Sequence, residues 1–271
     1  MAFTINGFCG KQSYNKDFVP ACESEKTIVP RKSLVQVRFP EKGMALTYFN
    51  DLFDLKLGDR VYVDGKMEAQ LGRVVEITYN FKIKLSDYRK IIAVVNTDVH
   101  GQFHMAGSHF VTFDPSTLPA NQIALWFKPP QKEEEEIIVS TDDTSFHLDD
   151  LSGMKITKAI AERGHDYYLE NRVRYICLDH SKGLAIVEGT ENYLVEFDYH
   201  DGEISNLVCE CPCGYTCKHE FAAMLQLKET LELIEKHYAY AYEETGYFAA
   251  INKATFFSFA VDGKETGSFT L

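Results

Sequence analysis

The chain has 271 residues, 45% hydrophobic and 25% charged, with a formal charge of −12. That balance suits one large or two ordinary globular domains able to bury cores, and the acidic total argues against a dominant phosphate-binding face, which needs Lys and Arg to displace counterions. No run approaches the roughly 18 apolar residues of a membrane span, and the start MAFTINGFCGK lacks the basic-then-apolar pattern of an export signal, so a cytoplasmic protein off the membrane is expected.

The charge is unevenly spread. Residues 1–130 carry 16 basic and 13 acidic side chains, residues 131–150 one against eight, and residues 151–236 nine against 15. Residues 1–128 read mainly as strands. SLVQVRFP, residues 33–40, alternates apolar and polar side chains as a half-buried strand does. VYV follows at 61–63, then Asp64-Gly65, a pair that favours positive φ and a hairpin turn, then LGRVVEI at 71–77. Gly-Asp-x-Val-x-Val, a turn and Gly-x-Val-x-x-Ile resemble small SH3-like β-barrels and the N-terminal barrel of primosomal helicases, over residues 35–77. Such barrels serve proteins, RNA and DNA alike. Further strands are expected at IIAVV (91–95) and HFVTF (109–113), and His100, His104 and His109 read as scattered loop histidines.

KPPQKEEEE at 128–136 and STDDTS at 140–145 predict an acidic linker over residues 129–148, since prolines stiffen the chain and like charges repel. A second domain is expected over 149–271. Asp149 or Asp150 can cap a helix bearing Met154, Ile156, Ile160 and Tyr167. Four strands follow, RVRYICLD, LAIVEG, YLVEFDY and ISNLVCE, joined by short polar connections as in an antiparallel meander. A helix over 219–237 places Phe221, Met224, Leu225, Leu231 and Ile234 on one side. The Phe-rich end of the chain is expected to pack back onto a core.

Cys9, Cys22 and Cys177 stand apart and read as ordinary buried cysteines, whereas Cys209, Cys211, Cys213 and Cys217 lie within nine residues, beside His219. Four crowded thiols and an imidazole suit a metal site in a reducing compartment better than a disulfide framework. Zinc takes four tetrahedral ligands and accepts thiolate and imidazole readily. Cys209 and Cys211 share one face of a predicted strand. PCGYT can turn the chain, and Cys217 and His219 open the helix, where backbone N–H groups favour a thiolate. Ligation by Cys209, Cys211, Cys217 and His219 closes the shell around one structural zinc ion. The alternative register through Cys213 leaves only GYT between the ligand pairs, which is short for wrapping an ion.

Cys-x-Cys-Pro, a short loop and Cys-Lys-His before small helix residues resemble the SWIM zinc-finger family, carried by Cys209, Cys211, Pro212, Cys217, Lys218, His219, Ala222 and Ala223. Upstream, RGHDYYLENRV (163–173) and VEGTENYLVEF (187–197) are similar to the family's Arg-Gly, Tyr-Tyr and Gly-x-x-x-Tyr-x-Val elements, so the resemblance spans residues 150–236. It implies a module that binds DNA or proteins, folded by its zinc and doing no chemistry with it. Lys218 could meet a phosphate, but reads first as a solvated lysine.

The sequence has no G-x-x-x-x-G-K-[ST], G-x-S-x-G or H-E-x-x-H motif, and no catalytic residues are assigned. The expected fold is α+β, a barrel-like N-terminal domain joined to a zinc-binding antiparallel sheet with flanking helices. The expected role is an adaptor or accessory factor binding a protein partner. The alternative is nucleic-acid binding through the mildly basic N-terminal half.

Overall fold

The computed structural model describes residues 2–6, 30–131, 138–141, 144–262 and 268–269, without the side chains of the first and last of these stretches. Its strands are β1 (Ala2–Asn6), β2 (Ser33–Phe39), β3 (Met44–Asn50), β4 (Arg60–Val63), β5 (Gly72–Thr78), β6 (Ile91–Val95), β7 (Gly101–Ala106), β8 (His109–Thr112), β9 (Phe146–His147), β10 (Val173–Asp179), β11 (Lys182–Glu188), β12 (Asn192–His200), β13 (Glu203–Cys209), β14 (Tyr247–Asn252) and β15 (Ser268–Phe269). The helices are α1 (Ala120–Phe127), α2 (Lys158–Leu169), α3 (Lys218–Thr245) and α4 (Lys253–Phe256). Two antiparallel sheets and these helices make the chain α+β. No helix among the described residues is long and apolar enough to cross a membrane.

The chain divides into two compact units. One unit, which holds the described residues 30–97, is built on a five-stranded sheet of order β3-β2-β5-β4-β6. The alternation in β2 works as predicted: Val35, Val37 and Phe39 point into a core with Val61, Val63, Val74 and Ile91. Asp64-Gly65 does turn the chain, with Gly65 at a φ of 90°, but residues 64–71 form a longer connection than a two-residue hairpin. An isolated bridge between Phe49 and Lys90 brings β3 against the start of β6, the two edges of the sheet.

The other unit holds a ten-stranded sheet of order β15-β1-β7-β8-β14-β10-β11-β12-β13-β9. The meander β10 to β13 forms where expected. The division at 128 and 149 does not hold: residues 98–127 belong to this second unit. The cause is β14, which pairs with β10 on one side and β8 on the other. Its Phe248, Ala249, Ala250 and Ile251 are all fully buried, as an apolar run covered on both faces must be. The expectation that the Phe-rich end returns to a core is met more strongly than anticipated, by a strand in the middle of the sheet.

Other boundaries shift for local reasons. Phe146 and His147, placed in the acidic linker, pair with Ile204 and Glu203, and Leu148 is buried; the acidic run itself, residues 133–136, lies outside the described residues. Asp150 caps only a short 3-10 turn, and α2 begins later, with the Thr157 hydroxyl accepting from the Ile160 N–H. α3 runs past His237, with a break in its helical geometry at Tyr238, and ends at Gly246, whose φ of 62° and bond to the Tyr242 carbonyl turn the chain into β14. On α3, Met224 and Ile234 are buried as expected, but Leu227, Ala222 and Ala223 are the other deep contacts, while Phe221, Leu225 and Leu231 are only half-buried.

His104 and His109 are strand residues, not loop histidines. His109 is fully buried, with Nε2 2.9 Å from the Val173 carbonyl oxygen and Nδ1 3.0 Å from Ser108 Oγ. Burial pushes its pKa down to about 4, against about 6.5 for a free imidazole. Between those values the unfolded chain takes up a proton that the folded chain refuses, so stability is complete above pH 6.5 and falls as the pH drops toward 4. Urea melts of the metal-free protein at pH 7 and pH 4 should show this: the acid loss in wild type should exceed that in His109→Gln by on the order of 3 kcal/mol.

Candidate metal centre

Four donors meet at the junction of β13 and α3. Cys209 ends the strand, Cys211 follows two residues on, Cys217 is the N-cap of α3 and His219 lies in its first turn. The thiols of Cys209, Cys211 and Cys217 and a ring nitrogen of His219 all lie within 4.8 Å of one another. Cys209 Sγ is 3.8 Å and Cys217 Sγ 3.6 Å from His219 Nδ1. Metal bonds of about 2.3 Å to sulfur and 2.0–2.1 Å to nitrogen, at tetrahedral angles, separate neighbouring sulfur and nitrogen donors by about 3.6 Å. The residues present therefore fit a small tetrahedral cation. Cys211, Cys217 and His219 are buried and Cys209 half-buried, and the cysteines are free thiols.

Backbone N–H groups support the sulfurs. The Cys211 N–H lies 3.5 Å from Cys209 Sγ, and the Cys217 side chain takes the backbone N–H of Glu220. The Cys213 side chain is exposed and outside the four-donor group. Of the two sequence registers, the structure gathers the wider one. Cys177 is buried as expected, and burial pushes its thiol up to about 11; Cys9 and Cys22 lie outside the described residues.

Crowding decides the charge of the metal-free cluster. The Cys217 thiol is pulled down to about 4 by hydrogen bonds, foremost from the Cys209 thiol and also from His219 and the Glu220 backbone. Cys209 is pushed up by that same bond to Cys217, then by burial, and Cys211 is pushed up to about 12, mainly by burial. One thiolate is accommodated and two are not. A divalent cation reverses this balance, because coordination deprotonates a thiol outright.

His219 is held by rings. Tyr193 stacks on it at 4.5 Å and 29°, and Tyr167 lies tilted at 5.5 Å. Its Nε2 is buried with no hydrogen-bond partner among the described residues. Gly189 makes room for the ring: a Cβ there would sit 2.9 Å from both His219 Nε2 and Tyr193 Cε2. Lys218 is not the solvated lysine expected from sequence. Its Nζ donates to Tyr167 Oη at 2.6 Å and lies 4.3 Å from that ring's centroid, beside Arg172 at 4.8 Å. The sequence reasoning also missed Glu220, which is buried and accepts the Cys217 N–H at 2.7 Å. Its spacing three residues after the N-cap was the available signal.

Comparisons with protein-family models, with curated proteins and with solved structures each found no match to the chain.

Two substitution sets test this geometry. Cys211→Ser, Cys217→Ser and His219→Ala should each weaken metal binding by about 100-fold or more, while Cys213→Ser should keep one tightly bound equivalent, as read by chelator competition. Gly189→Ala should push His219 from its place, lowering metal affinity and destabilising the protein by about 1–3 kcal/mol in denaturant melts.

Proposed function

We propose that the chain is an interaction protein built around a SWIM-type zinc module, acting as an adaptor or accessory factor for a macromolecular partner. One observation carries this reading: four protein donors, three sulfurs and one nitrogen, converge at a strand–helix junction and leave no ligand position over. Zinc is the ion favoured by a Cys₃His set, and a filled protein shell is the mark of a structural ion. Cys209, Cys211, Cys217 and His219 would hold it. When bound, the ion would serve as a folding cross-link, since structural zinc in small fingers contributes on the order of 10–16 kcal/mol of binding free energy, coupled to folding.

A protein partner is the favoured class. The net charge of −12 opposes broad phosphate binding. Lys218, the cation nearest the ligands, is engaged with Tyr167 instead of presented to a phosphate. Nucleic-acid binding stays as a second reading because residues 30–97 carry 12 basic against eight acidic side chains. The order β3-β2-β5-β4-β6 with the Phe49–Lys90 bridge supports a small SH3-like barrel for that unit.

Elemental analysis of protein made in metal-replete medium should give one equivalent of zinc, and less than half an equivalent would end the zinc proposal. A pull-down from native extract should then retain a partner that survives nuclease treatment and is lost with Cys217→Ser. Retention abolished by nuclease, with a salt-dependent gel shift, would transfer the proposal to nucleic acid.

A further inference from the structure

β3 ends the five-stranded sheet, and its sequence MALTYFN is unusual for an edge. Exposed edges are ordinarily blunted by charges, proline or a bulge, because their free amides and carbonyls invite another strand. β3 has no charged residue and no proline, and all seven of its residues pair with β2 in unbroken register. Among the described residues its far side is engaged at one place, where the Phe49 N–H donates to the Arg89 carbonyl at 2.8 Å. Backbone groups alternate between the two sides of a strand. The amides and carbonyls of Ala45 and Thr47 therefore face the same way as the Phe49 amide. No further described strand meets them there, and Met44, Ala45, Leu46 and Thr47 are all exposed.

The two faces of this open stretch differ. Met44 is in register with Phe39 and Leu46 with Val37, so both lie on the face that carries the core of this unit. They nevertheless stay 43% and 40% exposed, an apolar margin left uncovered. Ala45 lies on the opposite face, in register with Arg38. Arg38 stands opposite Arg73, and Arg73 opposite Arg60, which puts three guanidinium side chains in one row across adjacent strands. Like charges directly opposite one another destabilise a sheet. Arg38 is the member of the row nearest the edge and is exposed, with the small Ala45 between it and solvent on that side.

We infer that this edge receives an extended segment of a protein partner, in which apolar and acidic residues alternate. As an added strand, the segment would bond to the amides and carbonyls of Ala45 and Thr47. Its apolar side chains would cover Met44 and Leu46. The acidic side chain beside Ala45 would start two strand spacings, about 10 Å, from the Arg38 backbone, a gap that the two side chains close between them. The inference rests on the protein-partner reading proposed above and names the chemistry of the segment bound. It does not involve the metal centre, which belongs to the other unit.

The test uses the full chain and fluorescent heptapeptides that alternate valine with glutamate or valine with lysine. A third peptide has the glutamate composition with valines and glutamates in separate blocks. Anisotropy gives the affinity, and amide spectra of nitrogen-15-labelled protein give the site. The alternating glutamate peptide should bind about 10-fold or more tightly than either other peptide and shift the Ala45 and Thr47 amides. Ala45→Pro removes an outward N–H, a change that an edge strand tolerates, and should weaken that peptide by about 10-fold. Arg38→Glu should erase the preference for glutamate over lysine. Equal binding of the two alternating peptides, or no binding, overturns the inference and leaves the pull-down result standing. So does dimerisation through these amides, or their displacement by a single-stranded oligonucleotide in place of the peptide. If Ala45→Pro does not fold, Arg38→Glu decides, and an unchanged preference for glutamate overturns the proposal.

Discussion

Three thiols crowded against one imidazole are the constraint on which this structure turns. Without a cation the cluster accommodates one negative charge, at Cys217, because burial and mutual crowding hold the Cys209 and Cys211 protons in place. A strand end and a helix start have nevertheless been brought together with their sulfurs facing inward. The hydrogen bonds around them, from Cys211 to Cys209 and from Cys217 to Glu220, already orient the donors. The arrangement is unfavourable for three thiolates alone and favourable for three thiolates sharing an ion.

What holds the two sides of that junction is the larger sheet and the helix pair. Cys209 is in register with Val195, so the strand side is tied to the meander. On the helix side α2 packs against α3, with Gly164 allowing the close approach of Phe221 and the Lys218 carbonyl. Residues quoted for their resemblance to a motif thereby acquire local physical reasons. Gly189 and Tyr193 enclose His219, Tyr167 engages Lys218, and Gly164 seats the first turn of α3. They are spread over some fifty residues of sequence and converge around one imidazole.

The sheet itself is assembled from distant segments. β14 joins β8 to β10, so β7 and β8 and the meander after α2 share one hydrophobic core. Pairings of such separation require long loops to close before they are rewarded. The metal junction, by contrast, closes a loop of only eleven residues between Cys209 and His219. Local order at the ligands and long-range order in the sheet are therefore separate tasks, coupled through α3, which starts at the first and delivers the chain to the second at Gly246.

The sequence by itself determined whatever depends on spacing and local pattern. The alternation of β2, the four-strand meander and the four ligands were legible because a strand repeats every two residues and because Cys-x-Cys and Cys-x-His put donors on one side of a strand end and a helix start. The tertiary structure alone decided which segments share a sheet, moving residues 98–127 into the second unit, because β14's buried run names no partner until both of its edges are paired. It likewise decided the surroundings of the ligands. Tyr193 and Gly189 matter through contacts across strands and helices, and such contacts depend on register and packing rather than on any periodicity that a linear pattern carries.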